Sequence, residues 1–342
     1  MWAYIVRRLL LLPLLIFLVT LFVFGMYSLL PPKMRASLYV QDVPKTSDAM
    51  QRIIEKYGLD QPIHIQYVRW MGNLLRGDLG WSRTAQRPVL EALAHYFPAT
   101  VELALWAIIP VIFVGIWLGI LSAIHHNRTL DHTTRVFALV GWSFPSYVYG
   151  LLLVMVFYAW LRWLPVGRVS DWVLRLEAAG GFRIYTGMYT IDAILNGRAD
   201  VLANALRHLV MPIFTLAYIQ WALLLRITRS SMLETLRQEY VMTARSKGLS
   251  ERVVVYKHAA RNAMIPVATV AGLLLIGLLN GVVITETIFN YPGLGRWAAT
   301  AATQLDTLGV LGFALLNCGL LVLGNLFVDI LYAIIDPRIR LE

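Results

Sequence analysis

The sequence predicts an all-α membrane protein of six transmembrane helices, with a long extracytoplasmic segment between the first and the second. Of its 342 residues 58% are hydrophobic and only 15% charged, where soluble domains carry roughly a quarter charged residues. Mean hydropathy is +0.63. The apolar residues gather into runs at residues 9–30, 101–124, 136–161, 209–225, 266–284 and 308–335, each close to the roughly twenty residues that span a bilayer. A single large buried core would not require such long uncharged runs.

The first run follows Arg7 and Arg8 and ends in Leu29-Leu30-Pro31-Pro32. It lacks the short apolar region and small-residue cleavage site of a secretory signal, so residues 1–30 read as a retained span. Residues 31–98 are hydrophilic and read as extracytoplasmic. Within them Val68, Met71, Leu74 and Leu75 recur at helical spacing, which predicts a short amphipathic helix lying on the membrane or on the spans. Residues 99–335 form the expected core of five helices, and 336–342 a cytoplasmic tail.

Basic residues in short loops stay on the cytoplasmic side. With the N-terminus inside, that side receives Arg128, Arg135, Arg338 and Arg340, and a cluster of eight in the connection 227–263 and its approach: Arg226, Arg229, Arg237, Arg245, Lys247, Arg252, Lys257 and Arg261. The short outer loop near Tyr291 has only Arg296. Both termini are therefore expected in the cytoplasm of a multi-pass protein of the cytoplasmic (inner) membrane. The net charge of +10 needs no nucleic-acid partner.

Gly115 and Gly119, and again Gly277 and Gly281, have the four-residue spacing that lets helices approach closely. Pro110 and Pro145 mark bends within or at the start of spans. Glu102, Arg226, Glu286 and Asp329 all fall near span ends, which disfavours an ion-coupled carrier. The single cysteine, Cys318, rules out an intrachain disulfide or a cysteine metal site. His125 and His126 are adjacent and cannot face one metal on a regular helix. Ser143 with His208 invites an intramembrane serine hydrolase reading, against which a plain helix-entry turn at Ser143-Phe144-Pro145 is the simpler explanation. No phosphate-cradling glycine loop occurs, so ATP, if used, belongs to another subunit.

The connection 227–263 differs from the others in being basic and free of proline. From 230 to 245 the positions Met232, Leu233, Leu236, Tyr240 and Val241 follow a helical period, leaving Arg229, Arg237 and Arg245 to point away. Gly248 supplies a stop, and Ser250 an N-cap for a second helix over 250–263. Charge placement alone leaves two uses open: contact with anionic lipid headgroups, or docking of a partner.

The order of motifs resembles the dipeptide and oligopeptide branch of ABC importer permeases. It runs Tyr57-Gly-Leu-Asp-Gln-Pro62, Gln66-Tyr-Val-Arg-Trp70, Gly77-Asp-Leu-Gly-Trp-Ser82, Phe97-Pro-Ala-Thr100 with Glu102-Leu103, and Gly141-Trp-Ser-Phe-Pro145. Then follow 240–249, 258–266, Glu286-Thr-Ile-Phe289, Pro292-Gly-Leu-Gly295 and Asp336-Pro-Arg338. The segment before Gly248 is similar to the cytoplasmic EAA loop, with Met242-Thr-Ala244 where that triplet stands and Glu239 a little earlier.

The resemblance implies a type I ABC importer permease fold and a non-catalytic subunit. It implies a second, different permease, two cytoplasmic ATPases that hold ATP and Mg, and an extracytoplasmic solute-binding protein, all at a lipid membrane, with no cofactor in this chain. It also implies an ATPase-coupling site made of Glu239, Tyr240, Thr243, Ala244, Arg245, Lys247, Gly248, Leu249, His258, Arg261 and Asn262. On that view Ala244 and Gly248 permit close approach, Arg245 and Lys247 meet the ATPase, and His258, Arg261 and Asn262 fix the second helix. The solute is expected to be a peptide, with nickel, an opine or an oligosaccharide as same-family alternatives.

Overall fold

A computed structural model describes residues 2–37, 47–279 and 282–335. The tail 336–342 with its Asp336-Pro-Arg338 motif, Gly281, and the side chains of Arg7, Arg8 and Asp329 lie outside what is described.

The chain begins with α1 (Trp2–Ser28), α2 (Pro32–Ser37), α3 (Ser47–Tyr57) and α4 (Ile63–Leu75). A small antiparallel hairpin follows, β1 (Trp81–Ser82) and β2 (Arg87–Pro88), with Trp81 opposite Pro88. Next come α5 (Val89–Ile124), α6 (Thr129–Ser143) and α7 (Ser146–Leu153), the last running on as a π-helical turn, Val154–Trp160. Then follow α8 (Asp171–Ala178), α9 (Tyr189–Leu195), α10 (Ala199–Leu236), α11 (Glu239–Ser246) and α12 (Glu251–Val253). A second π-helical turn, Val254–Ala259, joins α12 to α13 (Ala260–Leu279), and α14 (Val283–Ile288), α15 (Leu294–Thr303) and α16 (Thr307–Ile335) complete the chain.

Among the described residues four helical stretches are long and apolar enough to cross a membrane: Val89–Ile124, Ala199–Leu236, Glu251–Leu279 and Thr307–Val328. The expected third span, 136–161, is instead a pair of helices bent by 99° between Thr129–Ser143 and Ser146–Trp160. The reason is Pro145: it lacks an N–H and restrains Phe144, which is extended, so α6 ends there and α7 starts anew. The first run lies within α1, a single helix of 27 residues. Pro110, by contrast, lies inside an unbroken α5.

The helices also outrun the apolar segments. α5 starts twelve residues before position 101 because Val89, Ala92 and Leu93 pack with Leu308 and Leu311 of α16 rather than facing lipid. α4 sits where the amphipathic pattern predicted, yet it packs by other residues. Tyr67 and Trp70 lie 5.2 and 5.6 Å from the Phe24 ring of α1, and the Tyr67 hydroxyl bonds Thr20 at 2.9 Å. Val68 and Leu75, 69% and 80% exposed, face outward.

α5 and α10 form the centre and run parallel. Leu103 packs near Leu209, and Val111 near Ala217 and Trp221, with the Trp221 indole donating to the Pro110 carbonyl at 2.7 Å. Farther along, a Cβ on Gly115 would meet Leu224 Cβ at 2.7 Å, and one on Gly119 the Leu225 carbonyl at 3.0 Å. Both glycines thus serve close helix approach. Among the described residues Gly277 has nothing within 4 Å, so the packing expected of it finds no partner there.

Candidate functional site

α10 stops at Leu236 because Gln238 is extended (φ −72°, ψ 146°). This break corrects the expected helix over 230–245: residues up to 236 belong to α10, and α11 starts with its helical phase reset. Glu239 lies in the first turn of α11 and Arg245 in the last, each suited to the partial charge of that helix end. Thr243 returns its hydroxyl to the Glu239 carbonyl at 3.0 Å.

Val241 and Ala244 turn inward, into a cluster with Ile120 and Ala123 of α5, Met232 of α10, and Val255, Ala259 and Ala263 beyond the loop. The small Ala244 therefore packs inside the chain. The opposite face carries Met242 (58% exposed), Tyr240 and, past the helix end, Leu249 and Tyr256, all exposed.

Gly248 has φ +74° and donates its N–H to the Arg245 carbonyl at 2.9 Å, a left-handed stop that glycine adopts without strain. A Cβ there would meet nothing within 4 Å. Lys247, in the preceding position, is exposed and closes the helix through its N–H on the Thr243 carbonyl. Ser250 has the extended backbone of an N-cap but its side chain makes no capping bond. From Glu251 the chain is helical through Leu279, so the second helix is the start of a span, and Pro266 lies inside it.

Across the loop, Asn262 donates to the Tyr240 hydroxyl at 2.8 Å, and that hydroxyl reaches the His258 carbonyl at 3.5 Å. The exposed Arg245 guanidinium pairs with Glu251 at 2.5 Å across the turn. Arg261 is exposed and joins none of these contacts. The structure thus brings together Tyr240, His258 and Asn262, and separately Arg245 with Glu251.

Sequence reasoning missed what braces this loop. Asp131 of α6 is fully buried and accepts from Ser122 (2.6 Å), the Asn127 N–H (3.0 Å) and Arg229 (2.7 and 2.8 Å). Arg229 was expected to point away; it instead ties α10 to the α5–α6 turn. The one available signal was an acid within an otherwise basic short connection.

At the other end of α5, motifs far apart in sequence interlock. Thr100 donates to Glu286 at 2.7 Å and accepts from the Leu294 N–H at 2.8 Å, while the Arg296 N–H reaches Glu286 at 2.8 Å. Burial pushes the Glu286 carboxyl above the ordinary carboxylate range, with the Thr100 and Arg296 bonds pulling the other way. Glu102 accepts from Arg168 (2.7 Å), from the Thr190 N–H and hydroxyl (2.6 and 2.8 Å), and from Tyr291 (3.1 Å). Nearby, Asp306 pins the hairpin through Ser82 and Thr84 at 2.6 and 2.7 Å.

No hydrolase dyad is assembled. Ser143 is exposed and bonded to the Leu139 carbonyl at 2.8 Å, whereas His208 is buried against Ser170 at 3.1 Å. Among the described residues no group of His, Cys, Asp or Glu is placed to hold a metal ion.

Apolar helices long enough for a bilayer, polar knots confined to their two ends, and a braced helical loop at one end define a multi-pass membrane protein. The family model described as "Binding-protein-dependent transport system inner membrane component" matches residues 115–341, and the corresponding N-terminal model matches residues 1–104. The chain belongs to this family of inner membrane components. It is 45% identical over 297 residues, 86% of each chain, to the probable D,D-dipeptide transport system permease protein DdpB of Escherichia coli (strain K12). It is 39% identical, over 99% of each chain, to the di/tripeptide transport system permease protein DppB of Pseudomonas aeruginosa (strain UCBPP-PA14). To the oligopeptide transport system permease protein AppB of Bacillus subtilis (strain 168) it is 36% identical over 87% of each chain.

Proposed function

We propose that this chain is the transmembrane subunit of an ATP-driven ABC importer that carries dipeptides or oligopeptides across the cytoplasmic membrane. The substrate class is supported by relatives named for peptide transport, one of them matched over 99% of both chains. The means of coupling is supported by one observation above the others: α11 is packed on its inner face against three spans and bare on its outer face.

In this reading a second, different permease completes the pathway, and two cytoplasmic ATPases hold ATP and Mg and seat α11. A binding protein delivers peptide at the opposite end, and both termini of the chain are cytoplasmic. Closure of the ATPases pushes α11. Because Val241 and Ala244 are wedged among α5, α10 and the helix leading into α13, the push is delivered to all of these as one body. Glu239, Tyr240, Thr243, Lys247, Gly248 and Leu249 form or flank the seated surface, with Met242 and Tyr256 added as its apolar anchors. His258 and Asn262 hold Tyr240 in place, and Arg261, without an ion-pair partner among the described residues, offers a charge at the edge. Arg245, paired to Glu251, keeps the turn around Gly248 closed.

The test is reconstitution with the co-expressed ATPases and binding protein in liposomes, scoring ATP-dependent uptake of radiolabelled dialanine. Wild type should accumulate the peptide, and Gly248→Trp should insert normally yet lose uptake and peptide-stimulated ATP hydrolysis. Uptake unaffected by Gly248→Trp would refute the coupling role; uptake of nickel but no peptide would refute the substrate class.

A further inference from the structure

Between α6 and α10, at the end of the bundle that carries α11, lies a cleft of about 370 Å3. Arg135, Arg226 and Arg229 line it over an apolar floor that includes Leu139, Trp142 and Leu225, and no carboxylate is among the lining residues. Arg229 is already neutralised by Asp131. Arg135 and Arg226 are not: both are exposed, neither has an ion-pair or hydrogen-bond partner among the described residues, and the Arg226 guanidinium rests over the Trp142 ring at 5.2 Å.

Two features describe the ligand this cleft fits. Its head must be anionic and rich in oxygen acceptors, because two arginines without an ion-pair partner among the described residues line one opening. Its body must be apolar, because the floor is apolar and continues outward over the exposed Val136, Leu139 and Trp142. Inorganic phosphate and the carboxylate of a small peptide meet only the first requirement. Position adds a third observation: Arg226 stands where the apolar run 209–225 of α10 ends, the depth at which headgroups lie and at which cationic pockets between helices hold them. Stacking on Trp142 also pre-orders Arg226, so little side-chain freedom is lost on binding.

We infer that the α6–α10 cleft is a binding site for an anionic phospholipid, its phosphate held between Arg135 and Arg226 and an acyl chain lying along Leu139 and Trp142. The lipid bridges α6 and α10 beside the Asp131–Arg229 pair. It therefore strengthens the same junction that braces α11.

The experiment uses the full-length chain in neutral detergent and requires no transport activity, so its failure is separate from failure of the peptide-import reading. Thermal shift is titrated with short-chain phosphatidylglycerol, phosphatidylcholine and inorganic phosphate, and retained lipid is identified by mass spectrometry after extraction. Phosphatidylglycerol should bind wild type and be retained, while phosphatidylcholine and phosphate should not. Arg135→Gln/Arg226→Gln should weaken that binding about 30-fold, which is about 2 kcal/mol at 1.4 kcal/mol per tenfold, or about 1 kcal/mol per arginine. Arg135→Lys/Arg226→Lys should fall between, and Trp142→Leu, which leaves both charges in place, should weaken binding by removing the shelf under Arg226. Equal affinity in wild type and the double Gln variant would overturn the inference, as would phosphate binding as tightly as the lipid. Displacement of the lipid by dialanine would overturn it too, by assigning the cleft to the solute path. Should the Gln variant melt early in detergent alone, the Lys and Trp142→Leu variants decide.

Discussion

Removing Glu102 tests whether the polar knot distant from α11 holds the connection between α7 and α10 to the spans. Its side chain is 1% exposed and that of Arg168 13%. Glu102→Ala deletes the acceptor for both Arg168 donors, for two Thr190 donors and for the Tyr291 hydroxyl. Arg168 keeps only the Gly187 carbonyl at 2.5 Å and the rings of Tyr189 and Tyr291, 4.8 and 5.9 Å from its centre. Orphaning one member of a buried ion pair costs about 3–5 kcal/mol. Glu102→Gln keeps one oxygen acceptor and the volume, and should cost about 2 kcal/mol, near the worth of a charged hydrogen bond. The assay is denaturant unfolding in detergent, with hydrogen exchange read separately over 168–192 and over 239–262. Exchange should rise in the first segment and not in the second, because ~20 residues of α5, about 30 Å of helix, separate Glu102 from Ser122. In a double-mutant cycle, Arg168→Met should recover most of the loss in the Glu102→Leu background, since the stranded charge is then gone. A loss below about 1 kcal/mol for Glu102→Ala, or simple additivity in the cycle, would refute the claim that the pair is a buried, coupled unit.

Two further outcomes follow from the packing and burial. Gly119→Leu must push a side chain where even a Cβ sits 3.0 Å from the Leu225 carbonyl. It should cost at least about 1–3 kcal/mol by overpacking, whereas Gly277→Leu, in open space, should leave the melting temperature of the chain nearly unchanged. For pH, burial raises the Glu286 carboxyl in the folded state, so the folded chain holds that proton to higher pH than the unfolded chain does. Its contribution to stability is fully present below the ordinary glutamate value and is lost as pH rises through the raised one. Melting of wild type measured across that window should therefore fall relative to Glu286→Gln; parallel curves would remove Glu286 as the cause.

The spans were legible in the sequence because lipid demands long apolar runs, a local property. Their ends were not, since α5 extends back to Val89 by packing on Leu308 of α16, 219 positions away, a contact that no local pattern encodes. The third run looked continuous in hydropathy although Pro145 divides it, because composition is blind to direction and a 99° bend leaves the apolar count unchanged. At the loop, the stop at Gly248 was readable as a glycine after a helical period. The phase reset at Arg237–Gln238 was not, and it moved Tyr240 from the expected packed face to the surface. Thr100 and Glu286 were visible only as separate motifs 186 positions apart, and Arg229 and Asp131, 98 apart, were not linked at all. Their union is a product of the parallel α5–α10 core.

The empty space above Gly248 separates two requirements that usually coincide in a glycine. Among the described residues the position is restricted in handedness, by φ +74°, and unrestricted in size, since nothing there lies within 4 Å of an added Cβ. Asparagine tolerates that handedness better than other side chains, so it satisfies everything the chain itself asks. Intolerance of larger residues at position 248 beyond that handedness would then point to a partner seated on it, and the series Gly, Asn, then larger residues works as a feeler gauge for that clearance.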